Sequence, residues 1–252
     1  MTSIDLNCDM GESFGAWKMG DDEAIMPLIT SANVAAGFHA GDPGTIRATV
    51  RLALDHGVAV GAHPSLPDLA GFGRRVMKVT PREVYDLVLY QAGAVAAFAN
   101  AGGARLHHVK PHGALYNMAA KDPELADSIA AAVKDLGAAV MLYGLAGSAM
   151  IEAAARHQVR AVAEVFADRS YQRDGSLTPR DRPGAMITDE HAAVAQVLSM
   201  VEKGIVRSMD GTDVPVEAGT LCLHGDQPGA VAFARALRAT LDERAIRVAA
   251  PG

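Results

Sequence analysis

Residues 106–112 read LHHVKPH, and the division of their side chains between two faces decides the fold. In an extended strand alternate residues point to opposite sides. Leu106, His108, Lys110 and His112 therefore share one face, and His107 points away from them. A lysine on the inward face of a strand is strongly unfavourable unless it meets an anion. The same pattern recurs at both ends of the chain. In residues 4–9, Asp5, Asn7 and Asp9 lie opposite Ile4, Leu6 and Cys8, and in residues 221–226, Cys222, His224 and Asp226 line up. A strand held between two helix layers is apolar on both faces. A polar stripe running into the C-terminal ends of several strands instead belongs to a closed barrel whose mouth carries the chemistry.

Working outward, seven short apolar runs predict strands at 4–8, 32–37, 58–62, 106–110, 139–144, 161–166 and 220–224. Helical patterns fill 43–56, 81–101, 123–136, 146–157, 189–203 and 228–244. Asp42-Pro43, Thr80-Pro81, Asp122-Pro123 and Gln227-Pro228 each set a polar residue before a proline at the first helical position. Leu125, Ile129, Ala132, Val133 and Leu136 form one apolar stripe. Strand–helix alternation throughout predicts an α/β fold, a distorted seven-stranded (β/α) TIM-like barrel spanning 1–252 as a single domain, with 245–249 as a candidate eighth strand. Residues 204–219 contain MDGT between two β-prone arms, which predicts a hairpin inserted near the barrel bottom or edge.

The 252 residues are half hydrophobic, enough for one large core. A net charge of −6 and few aromatic residues exclude a nucleic-acid-binding role. Cys8 and Cys222 form no CxxC pair, and two reduced buried cysteines suit the cytoplasm. The amino-terminal MTSIDLNCDMGES has no signal-peptide pattern, and no apolar run approaches membrane-span length.

Titratable residues follow the predicted strands: Asp9 and Glu12; His39 and Asp42; His63 and Asp68; Lys110 and His112; Glu164, Asp168, Arg169 and Tyr171; His224 and Asp226. A barrel gathers them at one face. Lys110 has Asp5, Asp9, Glu164 or a substrate anion as candidate partners, and the Pro111-His112-Gly113 turn places an imidazole at the rim for proton transfer. The histidines and carboxylates suit zinc or manganese, although no HxxxH or HExxH spacing fixes a tightly bound divalent metal. Nucleotide loops and a serine elbow are missing from the sequence. The arginine-bearing loops GFGRR (71–75) and DRSYQRDGSLTPRDRPGA (168–185) are candidate anion clamps, the second with the length of an active-site lid.

DLNCDMGES, SANVAAGFHAGD, VAVGAHPSLPD, HVKPHGALYN, GLAGS, EVFADRSYQRDGSL and CLHGD, in this order, resemble the LamB/YcsF family along essentially the whole chain. The resemblance implies a barrel like that of the glycoside hydrolase/deacetylase superfamily. It also implies the A subunit of a prokaryotic 5-oxoprolinase, which opens 5-oxo-L-proline (pyroglutamate) to L-glutamate with hydrolysis of ATP and works with B and C subunits. ATP with Mg2+ follows from that activity. Within it, Asp9, His39, His63, Lys110, His112 and Glu164 are expected to act in catalysis. Asn7, Glu12, Asp42, Arg169, Tyr171, His224 and Asp226 are expected to bind substrate or phosphate. A stand-alone metal-dependent amide hydrolase or carbohydrate deacetylase, and a non-catalytic substrate-binding subunit, remain alternatives, and self-association is open.

Overall fold

A computed structural model describes residues 2–223, 225 and 229–252. In chain order the elements are β1 (Ser3–Met10), α1 (Asp22–Ile25) with a 3-10 turn (Met26–Leu28), β2 (Ser31–Ala35), α2 (Pro43–Asp55), β3 (Ala59–His63), α3 (Pro81–Ala101), β4 (His108–Val109), α4 (Gly113–Ala119), α5 (Pro123–Leu136), β5 (Met141–Leu145), α6 (Ala149–His157), β6 (Ala161–Phe166), α7 (Glu190–Lys203), β7 (Ile205–Arg207), β8 (Asp213–Pro215), β9 (Thr220–Leu223), α8 (Ala230–Glu243) and β10 (Arg247–Val248). β1 to β6 pair in parallel sequence, β9 joins β6, and β9 pairs back to β1 through Asp5↔Thr220 to Cys8↔Leu223. The result is a closed seven-stranded TIM-like barrel.

The eighth strand stands outside that closure. Among the described residues β10 pairs only with Ser3 and Ile4. The carbonyls of Thr2 and Ile4 accept from β10 and the residue after it, whereas that of Leu6 accepts from Thr30 at the entry to β2. Alternate carbonyls of a strand share an edge, so β10 and β2 occupy the same side of β1 in tandem.

The helices start where their caps dictate. Asp42, Thr80 and Asp122 sit in extended conformation and accept from backbone N–H groups of the first turn, each followed by proline. Thr80 and Glu83 complete a capping box. The stripe on α5 is buried from Leu125 to Val133. The start expected at Gln227-Pro228 lies outside the described residues.

Several elements differ from expectation. The strand predicted over 106–110 narrows to His108–Val109, although the Lys110 N–H still donates to Ala62 C=O at 2.9 Å. The predicted helix at 146–157 begins at Ala149, because Ser148 is extended. Helix α4 has no counterpart among the predicted elements: GALYNMA follows so closely on the strand that its periodicity is hidden. β7 and β8 pair antiparallel around Asp210-Gly211, where Gly211 has φ +83. The hairpin leaves from the end of α7, and its turn meets the long loop 168–185. There Met209 N–H donates to Tyr171 C=O at 2.9 Å, in the loop that follows β6. Among the described residues no helix is long and apolar enough to cross a membrane.

Candidate active site at the barrel mouth

The barrel interior is filled by polar side chains in layers, where branched apolar residues are the norm for such barrels. Deepest lies Asp5, 1% exposed. Its carboxylate accepts from Thr30 (2.6 Å), Ser31 (2.8 Å) and Thr220 (2.6 Å). Ser31 uses its proton on Asp5, so the Tyr143 hydroxyl, 3.2 Å away, donates to Ser31. Burial raises the Asp5 carboxyl, with the hydroxyl donors pulling the other way.

One layer up, Asn7 and Asn33 form a hub. Asn7 donates to Glu164 Oε1 (3.1 Å) and Thr220 Oγ1 (2.8 Å). Asn33 donates to Asn7 Oδ1 (2.7 Å) and Asp9 Oδ1 (2.9 Å). Both amide protons of Asn33 are thereby used, so its Oδ1 accepts from His108 Nε2 at 2.7 Å. The His108 ring stacks on Tyr143 with centroids 4.0 Å apart. Gly61 makes room for it, since a Cβ there would overlap the imidazole. Burial, then the charges of His107 and Lys110, hold His108 well below the usual histidine range. His107, on the opposite face, reaches the Pro251 carbonyl at 2.9 Å through Nε2, while its Nδ1 lies 3.0 Å from His108 Nδ1 and braces that ring from outside the barrel.

Lys110 closes the layer. Its ammonium, in a residue 2% exposed, lies 2.8 Å from Glu164 Oε1, 2.9 Å from Asp9 Oδ1, 3.0 Å from Asn7 Oδ1 and 3.0 Å from Cys222 Sγ. Burial alone would push the ammonium down, but Asp9, Cys222 and Glu164 together override it and hold it well above the usual lysine range. An ammonium has three protons, and three oxygens already claim them. Lys110 thus orients Asp9 and Glu164 inside the barrel, and meeting a substrate anion requires it to drop a partner.

Above this hub stand three imidazoles. His63 ends β3, with Nδ1 2.7 Å from Lys110 C=O and Nε2 3.2 Å from Asp9 Oδ2. His112 Nδ1 is 2.9 Å from His63 Nε2, and its Nε2 is 2.8 Å from Phe72 C=O. His39, from the loop after β2, stacks on His112 at 3.8 Å. Glu12 Oε1 lies 3.5 Å from His39 Nε2 and 3.7 Å from His112 Nδ1. His112 is buried under the loop 71–75, not displayed on the rim. Burial, then His112 and His63, lower His39 well below its usual range; burial, then His63, does the same to His112. The loop fits because Phe72 takes φ +54 and Gly73 φ +64; a Cβ at 73 would overlap Ser65 Oγ and meet the His112 ring at 2.9 Å.

A cavity of about 710 Å3 opens above these groups, within the range of about 300–1,000 Å3 that small-molecule sites occupy. Asp9, Glu12, His63, Lys110 and His112 line its floor, and Arg74, Lys121 and Arg180 stand in its wall. Sequence reasoning misses Lys121 and Tyr116, and the hub members Asn33 and His108 as site residues, and it reaches Arg74 and Arg180 only as members of their loops. Inward strand parity marks Asn33, as it does Asn7. Burial and the charge of Glu164 push the Tyr116 hydroxyl well above its usual range.

The remaining sequence candidates lie apart from this floor. Asp42 caps α2, accepting from Thr45 N–H (2.9 Å) and Gly15 N–H (3.0 Å). Arg169 borders the cavity, but its guanidinium donates to the carbonyls of Thr178 (2.6 Å) and Ala185 (3.3 Å), which pins the 168–185 loop to itself. Burial lowers it to about 10, so it stays charged at neutral pH. The Tyr171 hydroxyl accepts from Phe166 N–H at 2.7 Å. Asp68 accepts from Arg75 at the edge of the 71–75 loop. His224 and Asp226 lie outside the described residues.

The LamB/YcsF family model matches residues 4–252. The chain is 63% identical over 248 residues to the A subunit of a 5-oxoprolinase from Bordetella parapertussis, covering 98% of each chain. It is 56% identical over 252 residues to the corresponding 5-oxoprolinase chain from Bacillus cereus, covering 100% of both. The crystal structure of a lactam utilization protein from Thermus thermophilus superposes with a TM-score of 0.93 at 51% identity, over 99% of this chain and 100% of that one.

Proposed function

The chain belongs to the LamB/YcsF family, and from that premise we propose that it is the A subunit of a 5-oxoprolinase, opening 5-oxo-L-proline to L-glutamate with hydrolysis of ATP and acting with B and C subunits. The observation that carries the reading is the mouth itself. A carboxylate oriented by a buried ammonium, Asp9 on Lys110 at 2.9 Å, faces a cavity walled by Arg74, Lys121 and Arg180. The cations suit the substrate carboxylate and phosphate oxygens, and the carboxylate suits activation of water.

A lactam is a poor electrophile. ATP, arriving with Mg2+, supplies activation by phosphorylating the lactam oxygen. Water then adds to that carbon, the ring C–N bond breaks with a proton passing to nitrogen, and a second water releases phosphate. Asp9 Oδ2 receives the proton of the attacking water. Lys110 and Asn33 both hold Asp9 Oδ1, which leaves Oδ2 directed to His63 and the mouth. Glu164 balances the charge on Lys110 from below. Polar contacts within the barrel keep this array from relaxing when substrate enters.

The test is glutamate formation from 5-oxoproline, with and without ATP, by the chain alone and mixed with the B and C subunits. Glutamate that requires ATP and all three chains supports the reading; none from a verified folded complex removes it. The imidazole cluster favours a metal-dependent amide hydrolase as the second reading. ATP-independent cleavage of an amide by the chain alone would select that one.

A further inference from the structure

We propose that Glu12, His39, His63 and His112 form a binding site for one divalent transition-metal ion of the zinc class. One ligand atom from each residue lies within 4.8 Å of the others, and all four residues are buried. This inference concerns binding by the chain alone and does not depend on the oxoproline reading.

The protons on the two central imidazoles carry it. A backbone carbonyl only accepts, so the contacts to Lys110 C=O and Phe72 C=O fix the proton of His63 on Nδ1 and that of His112 on Nε2. The nitrogens left over, His63 Nε2 and His112 Nδ1, both present lone pairs, and they face each other at 2.9 Å. Asp9 Oδ2 adds more negative charge at 3.2 Å. Groups arranged this way repel unless a cation joins them. His39 stands beside them at 1% exposure, and neither of its nitrogens makes a hydrogen bond among the described residues. A buried imidazole without a hydrogen bond is costly and needs an explanation.

Two cations qualify. A proton shared by His63 and His112 relieves one contact and leaves His39 without a hydrogen bond. A metal ion accepts a lone pair from all three rings and from Glu12. The rings are already set for it, because a metal-bound histidine characteristically donates its other N–H to a carbonyl or carboxylate. Three nitrogens and one carboxylate select zinc-class ions over magnesium or calcium, which take oxygen. Glu12, His63 and His112 also line the cavity, so an ion has a path in.

The full chain, stripped with a chelator, is titrated with Zn2+, Co2+ and Mg2+. Elemental analysis after gel filtration gives stoichiometry, the Co2+ visible spectrum reports the ligands, and thermal unfolding reports coupling to the fold. The expected result is one retained Zn2+ per chain, a nitrogen-ligated Co2+ spectrum, and a raised unfolding midpoint with Zn2+ but not Mg2+. His39→Asn and His112→Asn should each weaken binding about 100-fold or more, at or beyond the upper end of what losing an outer-shell partner does. Glu12→Gln tests a ligand with little change of shape, and His191→Asn, at an exposed position in the first turn of α7, should bind as the natural chain does. Circular dichroism verifies that each variant is folded. The proposal is overturned if the folded natural chain retains neither Zn2+ nor Co2+. It is equally overturned if Co2+ shows only oxygen ligation, or if folded His39→Asn and Glu12→Gln chains bind as tightly as the natural one.

Discussion

Replacing Lys110 by methionine keeps most of the side-chain volume and removes the charge on which the barrel interior is organised. The ammonium stands 2.9 Å from Asp9 and 2.8 Å from Glu164, with the Lys110 and Glu164 side chains 3% and 0% exposed. Removing one partner of a buried ion pair destabilises by about 3–5 kcal/mol, because the other charge is left uncompensated. Here two carboxylates are left, so the upper part of that range is expected, a large share of the roughly 5–15 kcal/mol that holds a domain folded. Adding Glu164→Gln should recover part of the loss, because one of the two uncompensated charges is removed with it. Urea unfolding followed by circular dichroism measures both quantities, and glutamate formation should be lost in both variants. A deficit below about 1 kcal/mol, small against the cost of an uncompensated buried charge, or no recovery on adding Glu164→Gln, would refute the account of Lys110 as the counter-charge to both carboxylates.

Three further outcomes follow from the same interior. Asn33→Ala leaves the Nε2–H of His108 without its acceptor and should cost about 1–3 kcal/mol in urea unfolding; a neutral effect would show that the hub is not needed. His108 is held neutral in the folded state by burial, while the unfolded chain takes up a proton near pH 6.5. The natural chain therefore loses stability through this residue as pH falls below about 6.5, and His108→Gln should flatten that slope by up to about 1.4 kcal/mol per pH unit; equal slopes would contradict it. Arg169→Ala frees the 168–185 loop from Thr178 and Ala185. Trypsin should then cut after Arg173 or Arg180 several-fold faster, Arg182 being protected by the proline that follows it, and an unchanged rate would show that the loop is held by other contacts.

Much of this interior is legible in the sequence, because a parallel barrel obeys strand parity. Asp5, Asn7 and Asp9 share a face in β1, and His108 shares one with Lys110 beyond β4, so parity tells which residues point inward and that an ammonium meets a carboxylate there. What parity does not tell is distance around the barrel. Asp9 and Glu164 are alternative partners for Lys110 on sequence grounds, and that both hold it at once follows from the stagger of β1, β4 and β6. Loops are harder to read. The sequence suggests Arg169 as an anion clamp, yet it binds its own loop's carbonyls, since a long loop first has to satisfy its backbone. The arginines of GFGRR stand out in the sequence, whereas Phe72 and Gly73 are the residues that roof the histidines. Asp42 stands among the titratable residues after β2, and its role as a helix cap, already written in Asp42-Pro43, accounts for its hydrogen bonds.

The seam of the barrel lies between β1 and β9, and the Asp5–Thr220 bond across it joins residues 215 positions apart. Chains emerge from the ribosome amino terminus first, so β1 is made long before the strand that completes one of its edges. Until then Asn7 lacks Thr220 and Lys110 lacks Cys222, and the polar layers stand open to water on that side. Contacts of such long sequence separation also form slowly. The polar interior is thus among the last parts of the molecule to be sealed, and occupancy of the mouth by any ligand becomes a reporter that the ring has closed.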